Sequence, residues 1–271
     1  MIFYLGTHKP HWLRDKRFAS IPLFISRRQL EPIATLPRAC GRWALDSGGF
    51  TELALNGRWM LSPKAYAQQV RRYADEIGRL EWAAPQDWMC EPSVLGGGNG
   101  FVGTGLTIRD HQIRTVENLV ELRALESRAR FIPVLQGWTT ADYLRCVEMY
   151  DRIGVDLRAE PVVGVGTMCR RQATTEALEI LSALASAGLT LHGFGFKLQG
   201  VFRAAPMLRS ADSMAWSFDA RRRAPLPGHD VPGPGRRHGH KSCANCAEFA
   251  IGWYRRVVAR TRGDSPSRAR A

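Results

Sequence analysis

Residues 43–50 read WALDSGGF: a short apolar run, then the acidic Asp46, a serine and two glycines. A short apolar run that is followed by turn residues is typical of a strand buried on both faces of its sheet. Eight candidate strands of this kind occur along the chain, at residues 2–5, 21–25, 43–45, 82–84, 131–135, 162–165, 191–194 and 214–216.

Helical patterns separate several of these strands, at residues 63–79, 108–125, 141–153 and 174–187. Ser62 is a typical N-cap for the first of these helices, and Gly188 is a typical residue for ending the last. Strands that alternate with helices indicate βαβ units and a parallel sheet. We therefore predict an α/β fold, a TIM (β/α)8 barrel, with an open doubly wound sheet as the alternative.

The polar motifs favour the barrel, because each follows a candidate strand and barrel active sites lie at the carboxyl ends of strands. The length of 271 residues also suits one barrel with a small C-terminal zinc-binding appendage. We expect the barrel over residues 1–220 and a Pro/Gly/Arg-rich loop over 221–239. We expect the zinc site and a C-terminal helix packed on the barrel over 240–262, and a basic disordered tail over 263–271.

The chain is strongly basic: Lys and Arg outnumber Asp and Glu by 38 to 25, which gives a formal net charge of +13. A basic protein favours polyanionic partners, because the phosphates that it neutralises release their counterions. A general preference for Arg in the composition is the alternative explanation. No apolar run reaches the roughly 18 residues of a membrane span, so we expect no membrane partner and a cytoplasmic location.

Two acidic residues at strand boundaries are candidates for catalysis. Asp46 would lie where two glycines allow a substrate to approach closely; a turn in which its side chain binds local amides is the alternative. Asp212 is the second such residue, with a helix cap or a salt bridge as its alternative role. A pair of carboxylates can exchange a group at a glycosidic carbon, because one attacks C1′ and the other moves a proton.

Other strand-end residues suit the recognition of a purine. Asp87 could accept hydrogen bonds from its Watson–Crick edge, and Phe50 or Trp88 could stack on its rings. Gln136 could make a bidentate amide contact with the same edge, and Gly137 could donate its backbone N–H. Strand-end capping and core packing are the alternative roles of these residues.

Residues 238–246 read HGHKSCANC and bring two imidazoles and two thiols close together. His238, His240, Cys243 and Cys246 would complete a closed, four-coordinate site for structural Zn²⁺. Catalytic zinc is disfavoured, because the cluster lies outside the strand-end motifs. A redox-active Cys-x-x-Cys is the remaining alternative.

Several of these motifs resemble, in order, the strand-end signatures of the tRNA-guanine transglycosylases: residues 45–50 (LDSGGF), 135–137 (LQG), 165–166 (VG) and 191–195 (LHGFG). Longer strings resemble the DNA-acting branch, the DpdA-like deazapurine DNA modification proteins: residues 85–92 (PQDWMCEP), 132–138 (IPVLQGW), 164–171 (GVGTMCRR) and 211–217 (ADSMAWS). The resemblance runs from about Gly41 to Trp253.

This resemblance implies a TIM barrel that removes guanine from a polynucleotide and inserts a 7-deazaguanine such as preQ0, through a covalent enzyme–sugar intermediate. It implies that Asp46 is the general acid/base and that the Cys/His cluster corresponds to the family's zinc site; which histidine ligates stays open. From the residues and the resemblance together, we predict the base-binding set Phe50, Asp87, Gln136, Gly137, Gly164 and Gly166.

The chain departs from the tRNA enzymes at the nucleophile. Theirs is the second Asp of an Asp-x-Phe-Asp-like string, and a direct overlay places Ala215 there. Asp212 matches the first Asp of that string. We assign Asp212 as the nucleophile because it is the only carboxylate of the strand-end motif, with Asp219 as the alternative.

We therefore predict a transglycosylase that exchanges guanine in double-stranded DNA for preQ0 or a derivative. The alternatives are the same exchange on tRNA, a non-catalytic zinc-stabilised nucleic-acid-binding protein, and a barrel glycosidase for small saccharides. The sequence leaves open which 7-deazaguanine is used and whether a partner ATPase takes part.

Overall fold

A computed structural model describes residues 1–169, 171, 174–231 and 241–262 of the chain. Eight strands form one sheet in which every paired neighbour is parallel. Their bounds are β1 Ile2–Thr7, β2 Leu23–Ser26, β3 Trp43–Asp46, β4 Leu80–Ala83, β5 Val134–Leu135, β6 Val163–Val165, β7 Leu191–Gly193 and β8 Ser210–Ser213.

The sheet curls until its two edges meet. Its strands lie in the order β4-β3-β2-β1-β8-β7-β6-β5. The backbone N–H of Ala83 in β4 donates to the carbonyl of Arg130 at 2.9 Å, and that of Ile132, just before β5, donates to Ala83 at 3.2 Å. The predicted TIM-like (β/α)8 fold is therefore confirmed, and the open doubly wound alternative is wrong.

Helices follow the strands and cover the outside of the barrel. Their bounds are α1 Arg27–Leu30, α2 Gly49–Asn56, α3 Pro63–Ile77, α4 Pro92–Gly96, α5 Ile108–Leu125, α6 Thr140–Arg152, α7 Thr175–Ser186, α8 Leu198–Ala204, α9 Ala215–Arg221 and α10 Ala247–Thr261. Single 3-10 turns lie at Pro10–Arg14, Lys16–Phe18 and Ala205–Met207. Ser62 caps α3 as predicted, because its hydroxyl accepts the N–H of Ala65.

The last predicted strand was placed wrongly. Residues 214–216 turn out of the sheet and enter α9, and the eighth strand is Ser210–Ser213. The apolar side chain of Trp216 misled the prediction, because it is buried by helix packing rather than by strand pairing. Its indole N–H donates to the carbonyl of Gly6 at 2.7 Å, and its ring packs against Trp12.

The inside of the barrel is filled by side chains that include Tyr4, Phe24, Trp82 and Val134. The imidazole of His192 lies within this layer, with its centroid 4.8 Å from that of the Trp82 ring. Because the barrel is a packed core rather than a pore, a substrate has access only at its mouth.

The C-terminal helix α10 packs on the barrel. Trp253 is 2% exposed, and its ring centroid lies 5.8 Å from that of Phe3 in β1. The end of the predicted Pro/Gly/Arg-rich loop and the start of the predicted zinc segment fall on residues 232–240. These residues, like the predicted tail at 263–271, lie outside the described residues. Within the described ranges, no helix is long and apolar enough to cross a membrane.

A buried ion pair fixes the turn after β3. Arg27 in α1 is 2% exposed, and its Nη2 lies 2.7 Å from Oε1 of Glu52 in α2. The Nε of Arg27 also donates to the backbone carbonyl of Ser47 at 3.2 Å. Arg28 approaches the same Glu52 carboxylate at 3.5 Å, but its side chain is 39% exposed. Through these contacts with Glu52 and with the Ser47 carbonyl, Arg27 therefore stabilises the turn of the WALDSGGF segment.

We expect Arg27→Met to lower the free energy of unfolding by about 3–5 kcal/mol, because Glu52 would remain as a buried charge without its main partner. Arg17, which pairs with Asp15 at the surface, gives the control: Arg17→Met should cost less than about 1 kcal/mol. Urea unfolding followed by circular dichroism measures both values. Equal losses in the two variants would contradict the role of the buried pair.

Candidate active site

A cavity of about 530 Å³ opens at the carboxyl ends of the strands. The carboxylate of Glu91 lines it, as do three aspartates: Asp46 at the end of β3, Asp87 after β4, and Asp212 in β8. The parallel strands bring these residues together, although they are far apart in the sequence. Phe24 and Phe194 contribute aromatic side chains to its walls.

Asp46 owes its position to the glycines that follow it. Gly48 has a φ of 78°, a conformation that favours glycine, and it is the N-cap of α2. Burial raises the pKa of Asp46, and the charge of Asp212 acts in the same direction. Hydrogen bonds from the Ser26 hydroxyl and the Gly48 amide act in the opposite direction. A carboxyl group with a raised pKa is suited to donating a proton near neutral pH.

Side chains of α5 hold the loop that carries Asp87. Asn118 accepts the backbone N–H of Gln86 at 2.9 Å, and the Thr115 hydroxyl accepts that of Trp88 at 2.9 Å. His111 contributes a third contact, with its Nδ1 2.7 Å from the carbonyl of Met89. The loop is therefore fixed at successive residues on both sides of Asp87.

Asp87 is the centre of a buried hydrogen-bond network. The Gln136 amide donates to its Oδ2 at 2.6 Å, and the Ser47 hydroxyl donates to its Oδ1 at 3.4 Å. The Thr167 hydroxyl donates to Oε1 of Gln136 at 2.6 Å and accepts the N–H of Cys90 at 2.8 Å. Burial, with a further contribution from Asp46, raises the pKa of Asp87 to about 7.

Thr167 was not singled out from the sequence, and its backbone is unusual. Its φ is 54°, which is rare for a β-branched residue. This conformation costs free energy, which the contacts around Thr167 must offset. Its position directly after Gly166, at the end of β6, is the signal that could have identified it. The strained backbone places the Thr167 hydroxyl against Gln136.

The predicted base-binding residues divide into two groups. Phe50, Asp87 and Gly166 line the cavity, whereas Gln136, Gly137 and Gly164 are absent from its walls. Gln136 is fully buried behind Asp87. A Cβ on Gly137 would meet α6 at Asp142, and a Cβ on Gly164 would meet the Phe194 ring. These two glycines therefore serve close packing in the structure described.

Gly166 is needed by the Asp87 network, because a Cβ there would collide with the amide of Gln136. Phe50 is 39% exposed at the rim and makes an edge contact with Phe101 at 5.6 Å. Trp88, the other candidate for stacking, is 9% exposed and packs with Leu53 away from the cavity. Phe50 is thus the better placed of the two for stacking.

Asp212 lies in the cavity wall and Asp219 does not. The backbone N–H of Gly195 donates to Oδ1 of Asp212 at 2.8 Å, and the residue is 5% exposed. Asp219 lies in α9 and pairs with Arg223 at 2.7 Å. Of these two candidates, Asp212 is therefore the one that could reach a molecule in the cavity.

A separate cluster of possible metal ligands consists of His229, Cys243 and Cys246, whose ligand atoms lie within 4.8 Å of one another. His229 Nδ1 is 3.7 Å from the sulfur of Cys243 and 3.5 Å from that of Cys246. The other imidazole nitrogen of His229 lies 2.7 Å from Glu248, an arrangement that orients metal-ligating histidines.

The predicted ligands Cys243 and Cys246 are therefore brought together, whereas the predicted His238 and His240 lie outside the described residues. Sequence reasoning missed His229. It stands apart from the HGHKSCANC segment, in the stretch rich in Pro, Gly and Arg, so the close spacing that pointed to His238 and His240 gave no signal for it.

The raised pKa of Asp87 predicts a pH-dependent stability. A carboxyl whose pKa is higher in the folded than in the unfolded state stabilises the fold fully below about pH 4, and this contribution is lost as the pH rises through about 7. Asp87→Asn removes the ionisation and keeps an acceptor for Gln136. The melting temperature of this variant relative to wild type should therefore rise between about pH 5 and pH 8.

The control for this experiment is Asp151→Asn, because Asp151 lies exposed in α6. Its melting temperature relative to wild type should be the same at both pH values. Calorimetry measures the melting temperature of each of the two variants and of wild type at both pH values. A difference for Asp87→Asn that does not change with pH would contradict the raised pKa.

Comparison with known proteins gives the family. A putative isomerase from Sinorhizobium meliloti, solved in an open loop conformation, is similar to this chain with 13% sequence identity and a TM-score of 0.39. The alignment covers 78% of this chain and 48% of the isomerase chain. The chain thus spans about half the length of that protein. Among curated proteins there is no match. The family model described as DpdA, DeoxyPurine in DNA protein A, matches residues 1–267, and the chain belongs to this family.

Proposed function

We propose that this protein exchanges guanine in double-stranded DNA for a 7-deazaguanine such as preQ0, with Asp212 as the nucleophile and Asp46 as the proton shuttle. The observation that carries the proposal is the meeting of Asp46, Asp87 and Asp212 in one cavity at the barrel mouth. Membership of the DpdA family supports DNA as the polynucleotide.

In the first half of the exchange, Asp212 attacks C1′ of the deoxyribose. The backbone N–H of Gly195 holds Oδ1 of Asp212, so Oδ2 is the oxygen presented to the sugar. As the bond from Oδ2 to C1′ forms, the bond from C1′ to N9 of guanine breaks and its electron pair goes to the base. Asp46 gives its proton to the departing guanine, which its raised pKa favours.

In the second half, the 7-deazaguanine takes the place that guanine has left. Its ring N–H gives a proton to the Asp46 carboxylate, and the nitrogen attacks C1′. The ester bond to Asp212 breaks, and its electron pair returns to the carboxylate. Asp46 is again protonated and Asp212 ionised, so the enzyme returns to its starting state with configuration retained.

The target base has to leave the DNA stack to reach these groups, because the cavity lies at the mouth of a packed barrel. Its volume of about 530 Å³ is in the range of small-molecule sites. Asp87 presents its carboxyl to the Watson–Crick edge, Gln136 orients Asp87, and Phe50 offers a stacking face at the rim. The net charge of +13 attracts the phosphate backbone.

The test is incubation of the protein with duplex DNA and labelled preQ0, scored by label in the DNA. We expect incorporation with wild type, none with Asp212→Asn, and a loss of about 10²- to 10⁴-fold with Asp46→Asn, the usual contribution of a general acid. A covalent protein–DNA adduct should be trapped with wild type and absent with Asp212→Asn.

Asp219→Asn is the matched control, because it removes a carboxylate from α9 without touching the cavity. It should retain both the exchange and the adduct. Loss of both with Asp219→Asn but not with Asp212→Asn would exchange the two roles. An absence of incorporation by wild type that still binds DNA would contradict the enzymatic proposal and favour the non-catalytic one, and exchange on tRNA alone would favour tRNA.

We further propose that His229, Cys243 and Cys246 bind a structural Zn²⁺. Two thiolates and an imidazole are typical zinc ligands, and Glu248 orients the imidazole. The metal would tie the segment before α10 to the segment after α9. The cytoplasmic location stays a prediction, and whether a partner ATPase takes part stays open.

Metal analysis of the purified protein tests this second proposal. We expect about one zinc per chain in wild type, and a loss of metal with a lower melting temperature in Cys243→Ser and His229→Ala. Cys169→Ser is the control, because Cys169 lies at the cavity, away from the cluster. This variant should keep its zinc. Full zinc content in Cys243→Ser would contradict the assignment.

A further inference from the structure

His192 is a polar side chain in the apolar interior of the barrel. It lies in β7, its side chain is 0% exposed, and its ring makes edge contacts with Trp82 at 4.8 Å and Phe194 at 4.7 Å. Tyr4 and Phe24 lie farther out, with ring centroids 5.9 Å from that of His192. Packing alone would be served equally well by an aromatic hydrocarbon side chain.

One nitrogen of the His192 ring has a partner and the other does not. Nδ1 lies 2.9 Å from the hydroxyl of Ser210 in β8. Nε2 is buried without a hydrogen bond, yet it points to the cavity wall, 3.4 Å from Oδ1 of Asp212. Burying a ring nitrogen without a hydrogen bond costs free energy, so its presence in the barrel interior needs an explanation.

The proton arrangement follows from these two contacts. A bare lone pair on Nε2 would face a carboxylate oxygen and repel it, so Nε2 carries the hydrogen and Nδ1 accepts from the Ser210 hydroxyl. Gly195 already donates to the same Oδ1 at 2.8 Å. A shift of Asp212 by a few tenths of an ångström would bring Nε2 into hydrogen-bond range.

We propose that His192 is a positioning residue that donates from Nε2 to Oδ1 of Asp212 during the reaction. This inference rests on the proposed role of Asp212 as the nucleophile. Together with the Gly195 N–H, the imidazole turns Oδ2 toward the sugar and forms a two-donor pocket for Oδ1. Ser210 fixes the imidazole in the tautomer that this requires.

The contact matters most when the ester between Asp212 and C1′ breaks. Negative charge then returns to the carboxylate, and the two N–H donors stabilise it as it leaves. The hydrogen stays on Nε2 throughout, so no proton is transferred by His192. Removal of the donor should therefore slow the breakdown of the adduct more than its formation.

The experiment compares His192→Leu with His192→Gln. Leu removes the donor, whereas Gln can place an amide N–H near the position of Nε2. Adduct breakdown on addition of preQ0 should be about 10- to 100-fold slower in His192→Leu, the effect of one lost hydrogen bond to a charged group. His192→Gln should recover most of the rate, and the KM for preQ0 should change little in both. Equal rates in the two variants would overturn the inference.

A second measurement does not depend on exchange activity. In protein labelled with ¹⁵N-histidine, the Nε2 resonance of His192 should show an attached hydrogen and should shift in Asp212→Asn. It should stay unchanged in Asp219→Asn. An unprotonated Nε2, or an Nε2 chemical shift that stays the same in Asp212→Asn, would overturn the inference. If wild type incorporates no preQ0, the proposed function fails, and this measurement still decides whether His192 donates to Asp212.

Discussion

Closure of the parallel barrel is the constraint on which the rest of the molecule depends. Once Ala83 pairs with Phe131, the carboxyl ends of all the strands form one ring, and the side chains there face a common space. Asp46, Asp87 and Asp212 are far apart in the sequence and are brought together by this ring. The filled interior then limits the space to a cavity at the mouth.

That cavity determines the electrostatics of the site. Carboxylates that are partly removed from water and close to one another resist ionisation together, which separates their protonation states. Asp46 and Asp87 have raised pKa values for this reason. The Gly195 N–H donates a hydrogen bond to Oδ1 of Asp212. Groups of one chemical type can differ in protonation state within one site, as the proposed base exchange requires.

The C-terminal segment is joined to the same mouth. The Ser217 hydroxyl in α9 donates to the carbonyl of Ala244 at 2.9 Å. Asn245, between Cys243 and Cys246, lies with its Oδ1 2.5 Å from Nε2 of His8, and His8 lines the cavity and stacks on Trp216. This cluster of possible metal ligands therefore lies apart from the three aspartates but contacts one wall of their cavity.

The sequence by itself determined the barrel, seven of its strand positions, and the strand ends that carry Asp46 and Asp87, because these depend on local apolar runs and the turn residues after them. The motif around Asp212 was recognised, but its place within β8 came only from the structure. Only the tertiary structure decided the roles of Gln136, Thr167, His192 and His229. Gln136 supports Asp87 from behind, His192 points at Asp212 from a neighbouring strand, and His229 reaches the two cysteines across a loop. Such contacts join residues distant in the chain, and local sequence carries no record of which side chains barrel closure and packing will bring together.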